Sequence, residues 1–154
     1  MRAHRVEPGE PEAVAGEVLH SDYADAFELT PAEQRTAEQW ARATLEQGPL
    51  ALRLFVAVGW RIVLRLRLGP NNSEYYVAGW AIMLRTPETV VLGVESRALG
   101  HARLTFRTRP SIVTASSNVT FERRGGRAIW SVAGFLHRRI LPYLLGHAAS
   151  LPPR

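Results

Sequence analysis

His137 is the side chain in this sequence best placed to exchange protons beside an apolar surface. It belongs to a C-terminal helical pattern, on the line that contains Trp130 and Leu141, at the edge of the apolar face. A neutral imidazole in that position could act as an acid or a base. The alternative is a structural histidine whose ring nitrogen bonds a backbone carbonyl or a strand hydroxyl.

Asp25 is the second candidate for acid–base chemistry. It shares the phase of Tyr23 and Phe27 along a strand predicted over residues 22–29. If the two rings face the core, the carboxylate faces it as well and could join His137 as an acid–base group. The alternative is an edge strand on which the inward-pointing acid reaches solvent.

Other reactive groups are missing from the chain. There is no cysteine, which removes disulfides, thiolate nucleophiles and cysteine metal sites. All 19 basic residues are arginines, so no lysine can form a Schiff base or complete a phosphate loop. No two histidines have metal-binding spacing, and no serine lies in a Gly-x-Ser-x-Gly elbow. We therefore expect neither a metal site nor a cofactor.

Aromatic and polar side chains on several elements could line a ligand pocket between a helix and a sheet. Large rings that face each other across such a gap can stack on a ligand or simply fill space. Among the other tryptophans, Trp40 is predicted to be core and Trp60 could close a cavity mouth. The predicted ligand-binding residues are Trp80, Phe106, Ser117, Trp130 and His137.

The element that carries Trp130 and His137 is a long helix predicted over residues 127–150. Apolar residues recur there at helical spacing in two adjacent lines, which makes the apolar face wide. One line holds Ile129, Ala133, Leu136, Ile140, Leu144 and Ala148, and the other holds Trp130, His137, Leu141 and Leu145. A face this wide needs more than another helix to cover it, which points to the strands before it.

Four segments before this helix alternate with a period of two and are predicted to be strands. Short links join them, so neighbouring strands should be antiparallel. One face is apolar and the other polar, which is typical of a half-solvated sheet. The segments are residues 75–84, 89–96, 101–109 and 111–122.

Two helices are predicted between the first strand and these four. The first begins at the sequence Thr-Pro-Ala-Glu of residues 30–33, where Thr30 caps the helix and Glu33 can reach back to the Thr30 amide. It ends before Gly48 and Pro49. The second runs from residue 50 to about residue 66 and carries one stripe of arginines on an otherwise apolar surface.

The element order and two short segments resemble the helix-grip fold of the START-like or SRPBCC superfamily, which includes polyketide cyclases and lipid-transfer domains. The opening segment is Asp-Tyr-Ala-Asp-Ala-Phe at residues 22–27, and the closing segment holds Ile129, Trp130 and His137, with Phe135 where a related bacterial branch has proline. The resemblance covers about residues 20–149. It implies a cavity between the long helix and a concave sheet, but no particular activity.

The predicted fold class is therefore α+β, of the helix-grip type. An antiparallel sheet of about five or more strands is expected to curve around the C-terminal helix, with two helices after the first strand. A single domain is predicted over residues 20–150, preceded by a flexible N-terminal tail over residues 1–19.

Charge and hydropathy limit the partners. The formal net charge is +5, with 8 arginines against 11 acids in residues 1–74 and 11 against 3 in residues 75–154. The arginines are scattered, and the patch expected from His101, Arg103 and Arg107 lacks stacking aromatics, so we expect no specific nucleic-acid binding. Arginines interrupt the apolar stretch 50–68, and residues 1–5 do not lead into an apolar signal region, which predicts a cytoplasmic protein without a membrane span. A homodimer is compatible with the sequence.

The leading functional hypothesis is binding of a small hydrophobic molecule, either a lipid or a polyketide-like compound, between the last helix and the sheet. The second hypothesis is a cyclase- or dehydratase-like enzyme that uses His137 and Asp25. The third is an interaction protein without a ligand.

Overall fold

The computed structural model describes residues 2–18 and 20–153, which form an α+β fold. The strands in this part of the chain are β1 (His4–Val6), β2 (Tyr23–Leu29), β3 (Tyr76–Val77), β4 (Trp80–Arg85), β5 (Thr89–Ser96), β6 (Gly100–Arg109) and β7 (Ile112–Phe121). The helices are α1 (Ala37–Glu46), α2 (Leu50–Val58), which continues into a π-helical turn (Gly59–Val63), and α3 (Gly126–Ala149).

The seven strands form one antiparallel sheet in the order β1-β2-β7-β6-β5-β4-β3. Strands β3 to β6 each pair with the next strand in the chain, whereas β2 pairs with β7, so that Asp25 lies opposite Ser117. Because β1 and β7 flank it, β2 is not an edge strand. The alternative that placed Asp25 on a solvent-reaching edge is therefore wrong, and Asp25 is 0% exposed.

The core lies on the face of the sheet that meets α1 and α3. Trp40 of α1, Phe106 of β6 and Leu145 of α3 are almost fully buried there, as the alternation and helical spacing require. Arg35 fastens the start of α1 to the end of α3, because its guanidinium donates to the carbonyls of Ala148 (2.9 Å) and Leu151 and stacks over the Trp40 ring. Trp40 is core, as predicted.

The first helix begins later than predicted. Thr36, not Thr30, is the N-cap: its hydroxyl accepts from the amide of Gln39 (3.2 Å), and the Gln39 side chain accepts from the amide of Thr36 (2.8 Å). Both Thr-x-x-Glu and Thr-x-x-Gln fit the reciprocal capping pattern. The Thr-x-x-Gln motif is the one used, because the Arg35 side chain bonds the end of α3 and the Ala37 amide donates to the Pro87 carbonyl (2.9 Å).

The second helix ends earlier than predicted. Its α-helical part stops at Val58, the π-helical turn carries it to Val63, and Leu66 instead bridges to Ser96 of β5. None of the residues of α2 or of the π-helical turn is buried. Their apolar side chains therefore remain at least partly exposed, although Trp60 packs against the core.

Two strands differ from the alternation pattern. The segment 75–84 is divided into β3 and β4 by Ala78 and Gly79, whose positive φ values of 51° and 87° form a two-residue hairpin turn. The segment predicted as a flexible tail contains β1, which pairs with β2 from His4 to Val6. Three residues are too few for a period-2 signal, which is why the sequence pattern missed this strand.

The outer face of the sheet carries polar side chains and is partly covered by residues 6–12. The acid of Glu12 bonds Arg107, and Glu122 lies 3.3 Å from His101. A cavity of about 210 Å³ lies between this segment and the sheet and is bordered by Thr105, Thr114, Ser116 and Asn118, among others. The basic patch expected on this face is thus partly neutralised.

Candidate functional site

Strand register and helix α3 together bring the two catalytic candidates into contact. The pairing of β2 with β7 sets Asp25 directly beside Ser117 on the core-facing side. Helix α3 then places His137 over both: its Nε2 lies 3.2 Å from Asp25 Oδ2 and 2.9 Å from Ser117 Oγ. The strand hydroxyl expected as a structural partner of His137 and the carboxylate expected as a catalytic partner are therefore both present.

Tyr23 adds a second donor to the buried carboxylate. Its hydroxyl donates to Asp25 Oδ2 at 2.6 Å, and Arg138 donates to the same tyrosine oxygen at 3.4 Å. Burial raises the pKa of Tyr23 to about 12, with the neighbouring Asp25 acting in the same direction. The phenol therefore stays neutral and remains a donor at physiological pH.

Asp25 stays ionised although it is fully buried. Burial alone raises the pKa of Asp25, but hydrogen bonding from His137, Tyr23 and Ser117 outweighs it and holds the pKa below the ordinary value of 3.8. Its second oxygen, Oδ1, has no hydrogen-bond partner in the described part of the chain. A charged group left partly unpaired in a core is costly, which is a common feature of sites kept for function.

Asp25, Ser117 and His137 do not form a hydrolase triad. In a triad the serine and the carboxylate bond different ring nitrogens, whereas here both face Nε2. An ionised carboxylate beside Nε2 requires that nitrogen to carry its proton, so the Ser117 hydroxyl accepts from it and cannot be deprotonated by it. In the neutral ring the lone pair then resides on Nδ1.

Nδ1 of His137 is the free position of this network. Among the described residues it has no hydrogen-bond partner, and it is not one of the fully buried polar atoms. His137 also borders an apolar cavity that lies between α2, α3 and the sheet. Its unshared nitrogen can therefore accept a hydrogen bond from a molecule that lies in the cavity.

The rings around His137 fix its orientation. Trp130 meets Tyr23 edge to face, with centroids 5.1 Å apart, and lies 5.3 Å from the His137 ring. One turn along α3, Gly134 makes room for this packing, because a Cβ there would come within 2.8 Å of Trp130 Nε1 and 3.0 Å of Arg138 Nη1. The glycine is thus required by the close approach of the indole.

A cavity of about 310 Å³ lies between α2, the π-helical turn, α3 and the core face of the sheet. Its walls are mostly apolar, and Trp60 and Trp80 meet edge to face within them, with centroids 5.6 Å apart. The charged or polar members of the wall include Arg53, Ser117 and His137. This volume lies within the range of small-molecule sites.

Four of the five residues predicted to bind a ligand border this cavity: Trp80, Ser117, Trp130 and His137. Phe106 does not, because it is fully buried between the sheet and α1 and belongs to the core. Trp60, considered for a cavity mouth, is part of the wall. Asp25 lies behind His137 and Ser117 and is not part of the wall.

Sequence reasoning missed Tyr23 and Arg138 as members of the network. A signal for Tyr23 was available, since residues i and i+2 of a strand share a face and Tyr23 precedes Asp25 by two. Arg138 had no comparable signal, because it neighbours His137 on a helix and reaches across to β2 only through its long side chain.

No group of three or more His, Cys, Asp or Glu side chains in residues 2–18 and 20–153 is arranged to hold a metal ion. No helix within the same residues is long and apolar enough to cross a membrane.

No protein-family model and no curated protein matches this sequence. Among solved structures, the chain is similar to the solution NMR structure of a protein from Arthrobacter aurescens. The two are 11% identical, with a TM-score of 0.42, over 84% of this chain and 88% of the other. A likeness at this level assigns neither a family nor a function.

Proposed function

We propose that the protein binds a small hydrophobic molecule, of the lipid or polyketide-like class, in the cavity between α3 and the sheet. The observation that carries the proposal is a mostly apolar cavity of about 310 Å³ whose wall has few polar side chains, among them His137. An apolar pocket with few, well-placed polar groups is the usual form of a small-molecule site.

The polar side chain of His137 in the cavity wall suggests the chemistry of the ligand. Because Nε2 of His137 is committed to Asp25 and Ser117, Nδ1 is the acceptor that the neutral ring offers. The complementary ligand has an apolar body and one hydroxyl donor, as a phenol, an enol or a sterol-like alcohol does.

A pair of cavity variants tests binding. We expect wild-type protein to bind the neutral fluorescent probe N-phenyl-1-naphthylamine, and Ala133→Trp, which fills the cavity from α3, to weaken binding more than tenfold. Ala128→Trp is the matched control, because Ala128 is exposed on the same helix and does not border the cavity. Equal affinity of the two variants, or no binding by wild type, would contradict the proposal and favour an interaction protein without a ligand.

A pair of ligands tests the role of His137. Competition with 1-naphthol and 1-methylnaphthalene compares a hydroxyl with a methyl group of similar size. We expect wild type to prefer the naphthol by about fivefold or more, as one hydrogen bond in a pocket allows. His137→Ala should lose this preference while still binding the methyl compound. Retention of the preference would show that another group receives the hydroxyl.

The second candidate function is a cyclase- or dehydratase-like reaction, favoured by the contact between His137 and the buried Asp25. A histidine with one nitrogen held by a carboxylate and the other facing a pocket can take a proton from a ligand and return it. His137→Ala should then abolish turnover of a polyketide-like substrate and leave probe affinity within about twofold. Turnover that survives this change would exclude His137 as the base.

The fold family is part of the same proposal. The order of strand, two helices, antiparallel strands and a long C-terminal helix, with a cavity under that helix, supports a helix-grip fold of the START-like or SRPBCC type. Membership of the bacterial branch that residues 22–27 and 129–137 resemble is part of this proposal.

A further inference from the structure

The mouth of the large cavity is apolar and exposed. Five apolar side chains border the cavity and are at the same time open to solvent, so the cavity reaches the surface between α2 with its π-helical turn on one side and α3 on the other. They are Phe55, Val58, Val63, Val132 and Leu136, with Val132 the most exposed at 69%.

The apolar surface extends beyond the mouth along both elements. Leu50, Leu54 and Ile62 project from α2 and the π-helical turn, and Ile62 is 70% exposed; Phe135 is half-exposed on α3. Isolated exposed apolar residues are ordinary, but a contiguous surface of this kind around a cavity mouth marks a site of interaction. We call this surface, formed by the nine residues just named, the mouth surface.

The charges around the mouth surface have one sign. Arg53, Arg61 and Arg65 are exposed on or next to α2, and Arg139 lies over the ring of Phe135 at 4.6 Å. The two segments that form the surface, residues 47–73 and 127–153, contain no Asp and no Glu. The surface therefore combines apolar side chains at its centre with uncompensated positive charge at its margin.

This combination of apolar side chains and positive charge favours an anionic lipid bilayer over a second copy of the chain as the partner of the mouth surface. A second copy of the chain would bring arginine against arginine with no acid in either segment, which costs electrostatic energy. An anionic lipid bilayer offers both complements, acyl chains for the apolar residues and negative headgroups for the arginines.

We infer that the mouth surface docks the protein on an anionic lipid bilayer, with α2 and the π-helical turn lying in the interface and the cavity opening toward the lipid. The uptake of a hydrophobic ligand directly from the bilayer follows from this orientation and rests on the proposed function; the docking itself does not. The nine apolar residues are the inserted group, and the arginines supply the preference for anionic lipid.

Vesicle co-sedimentation tests the docking. We expect wild-type protein to bind vesicles of phosphatidylcholine with 30% phosphatidylglycerol at least tenfold better than vesicles of pure phosphatidylcholine, with binding falling as salt rises. Ile62→Asp should lower binding to the anionic vesicles at least tenfold. Tyr75→Ser, a change of an exposed aromatic residue outside the cavity wall, should leave it unchanged.

Arginine variants test the charge preference. Arg61→Gln should weaken binding to the anionic vesicles about fivefold. Arg109→Gln, on the outer face of the sheet, should weaken it less than twofold. Equal losses for the two would show general attraction of a basic protein and overturn the assigned surface.

Four further outcomes are decisive. Failure of wild type to bind anionic vesicles overturns the docking, as does a concentration-dependent dimer that Ile62→Asp dissolves. Binding of N-phenyl-1-naphthylamine in the absence of vesicles, unchanged in Ile62→Asp, supports docking as a property separate from the cavity. Vesicle binding by a protein that takes up no probe would leave the docking intact and overturn the proposed function alone.

Discussion

Asp25 is an ionised carboxylate in the core, held by His137, Tyr23 and Ser117. Each of these partners stabilises its charged form, and one carboxylate oxygen remains without a partner in the described chain. A network of this kind makes stability depend on the protonation state of its central acid. The carboxyl group of Asp25 gives a prediction for stability at acid pH, and the phenol of Tyr23 gives one for titration at alkaline pH.

Removal of the Asp25 charge should destabilise the protein at neutral pH and alter its acid unfolding. Asp25→Asn should cost about 2–4 kcal/mol at pH 7, the range for breaking hydrogen bonds to a buried charge. Because the folded pKa of Asp25 lies below the ordinary 3.8, its contribution is fully present above that value and is lost as the pH falls through the folded pKa. Urea unfolding from pH 6 to pH 2.5 should therefore show a shallower acid loss in Asp25→Asn.

Glu95→Gln is the control for this series, because Glu95 is more than half exposed and pairs only at the surface with Arg67. It should retain the wild-type acid profile. An Asp25→Asn profile parallel to that of wild type would refute the assigned role of Asp25.

The raised pKa of Tyr23 predicts how stability and tyrosine absorbance change at alkaline pH. Its folded pKa of about 12 exceeds the ordinary value of 10, so its contribution to stability is present below pH 10 and is lost as the pH rises from 10 through 12. The chain has no lysine and no cysteine, so its four tyrosines dominate side-chain titration in this range. The difference in tyrosinate absorbance between wild type and Tyr23→Phe should develop near pH 12. A difference centred near pH 10 would contradict the buried hydrogen bond to Asp25.

The sequence predicted part of this site for physical reasons. Period-2 alternation placed Asp25 on the core face, and helical spacing placed His137 at the edge of the buried face of α3. Their contact could not be predicted, because it depends on the register of β2 against β7 and on where α3 crosses that pair. Phe106 was misassigned for the same reason: alternation gives the face of a residue, but not which part of that face a helix covers and which part lies under a cavity.

At the scale of elements, the start of α1 offers a direct comparison of two threonines. Thr36→Ala removes the N-cap and should cost about 1 kcal/mol, whereas Thr30→Ala, at the predicted but unused cap, should cost less than about 0.5 kcal/mol. Thermal or urea unfolding of the two variants measures the difference. A larger loss for Thr30→Ala would restore the helix start at residues 30–33.

Two helical glycines predict opposite effects of the same substitution. Gly134→Ala should destabilise the protein, because the new Cβ would press on Trp130 Nε1 at 2.8 Å; a cost of about 1–3 kcal/mol is usual for overpacking. Gly59→Ala meets nothing within 4 Å and should gain up to about 1 kcal/mol from helix propensity. Chemical denaturation decides the sign, and stabilisation by Gly134→Ala would show that the indole can move away freely.

The bounds of helices and strands were predictable where the sequence pattern was long and no second motif competed with it. Strand β5 has the predicted bounds, residues 89–96, and α3 differs from its prediction by one residue at each end. The start of α1 was not predictable, because two capping motifs six residues apart compete and a long-range contact of Arg35 selects one. Likewise β1 depends on pairing with β2 rather than on any pattern of its own three residues.

At the scale of the molecule, the distribution of charge predicts weak contact with DNA. The outer sheet face carries arginines, yet Arg107 is paired with Glu12 and His101 lies beside Glu122. Few phosphates could therefore be neutralised, and we expect binding to a random duplex that is lost near physiological salt. Fluorescence anisotropy at 20 mM and 200 mM salt measures this; sequence-specific binding that persists at the higher salt would contradict ligand binding as the main function.

The pairing of β2 with β7 has a consequence for synthesis of the chain. Strands β3 to β7 can form as successive hairpins, but β2 must close a loop of about 80 residues, which costs roughly 3 kcal/mol more than closing a loop of three. At usual translation rates Ser117 follows Asp25 out of the ribosome after roughly 5–20 s. Throughout that interval the apolar strand β2 lacks its central partner. A nascent chain can therefore acquire its sheet hairpins early, but it acquires the Asp25–His137 site only after α3 has emerged.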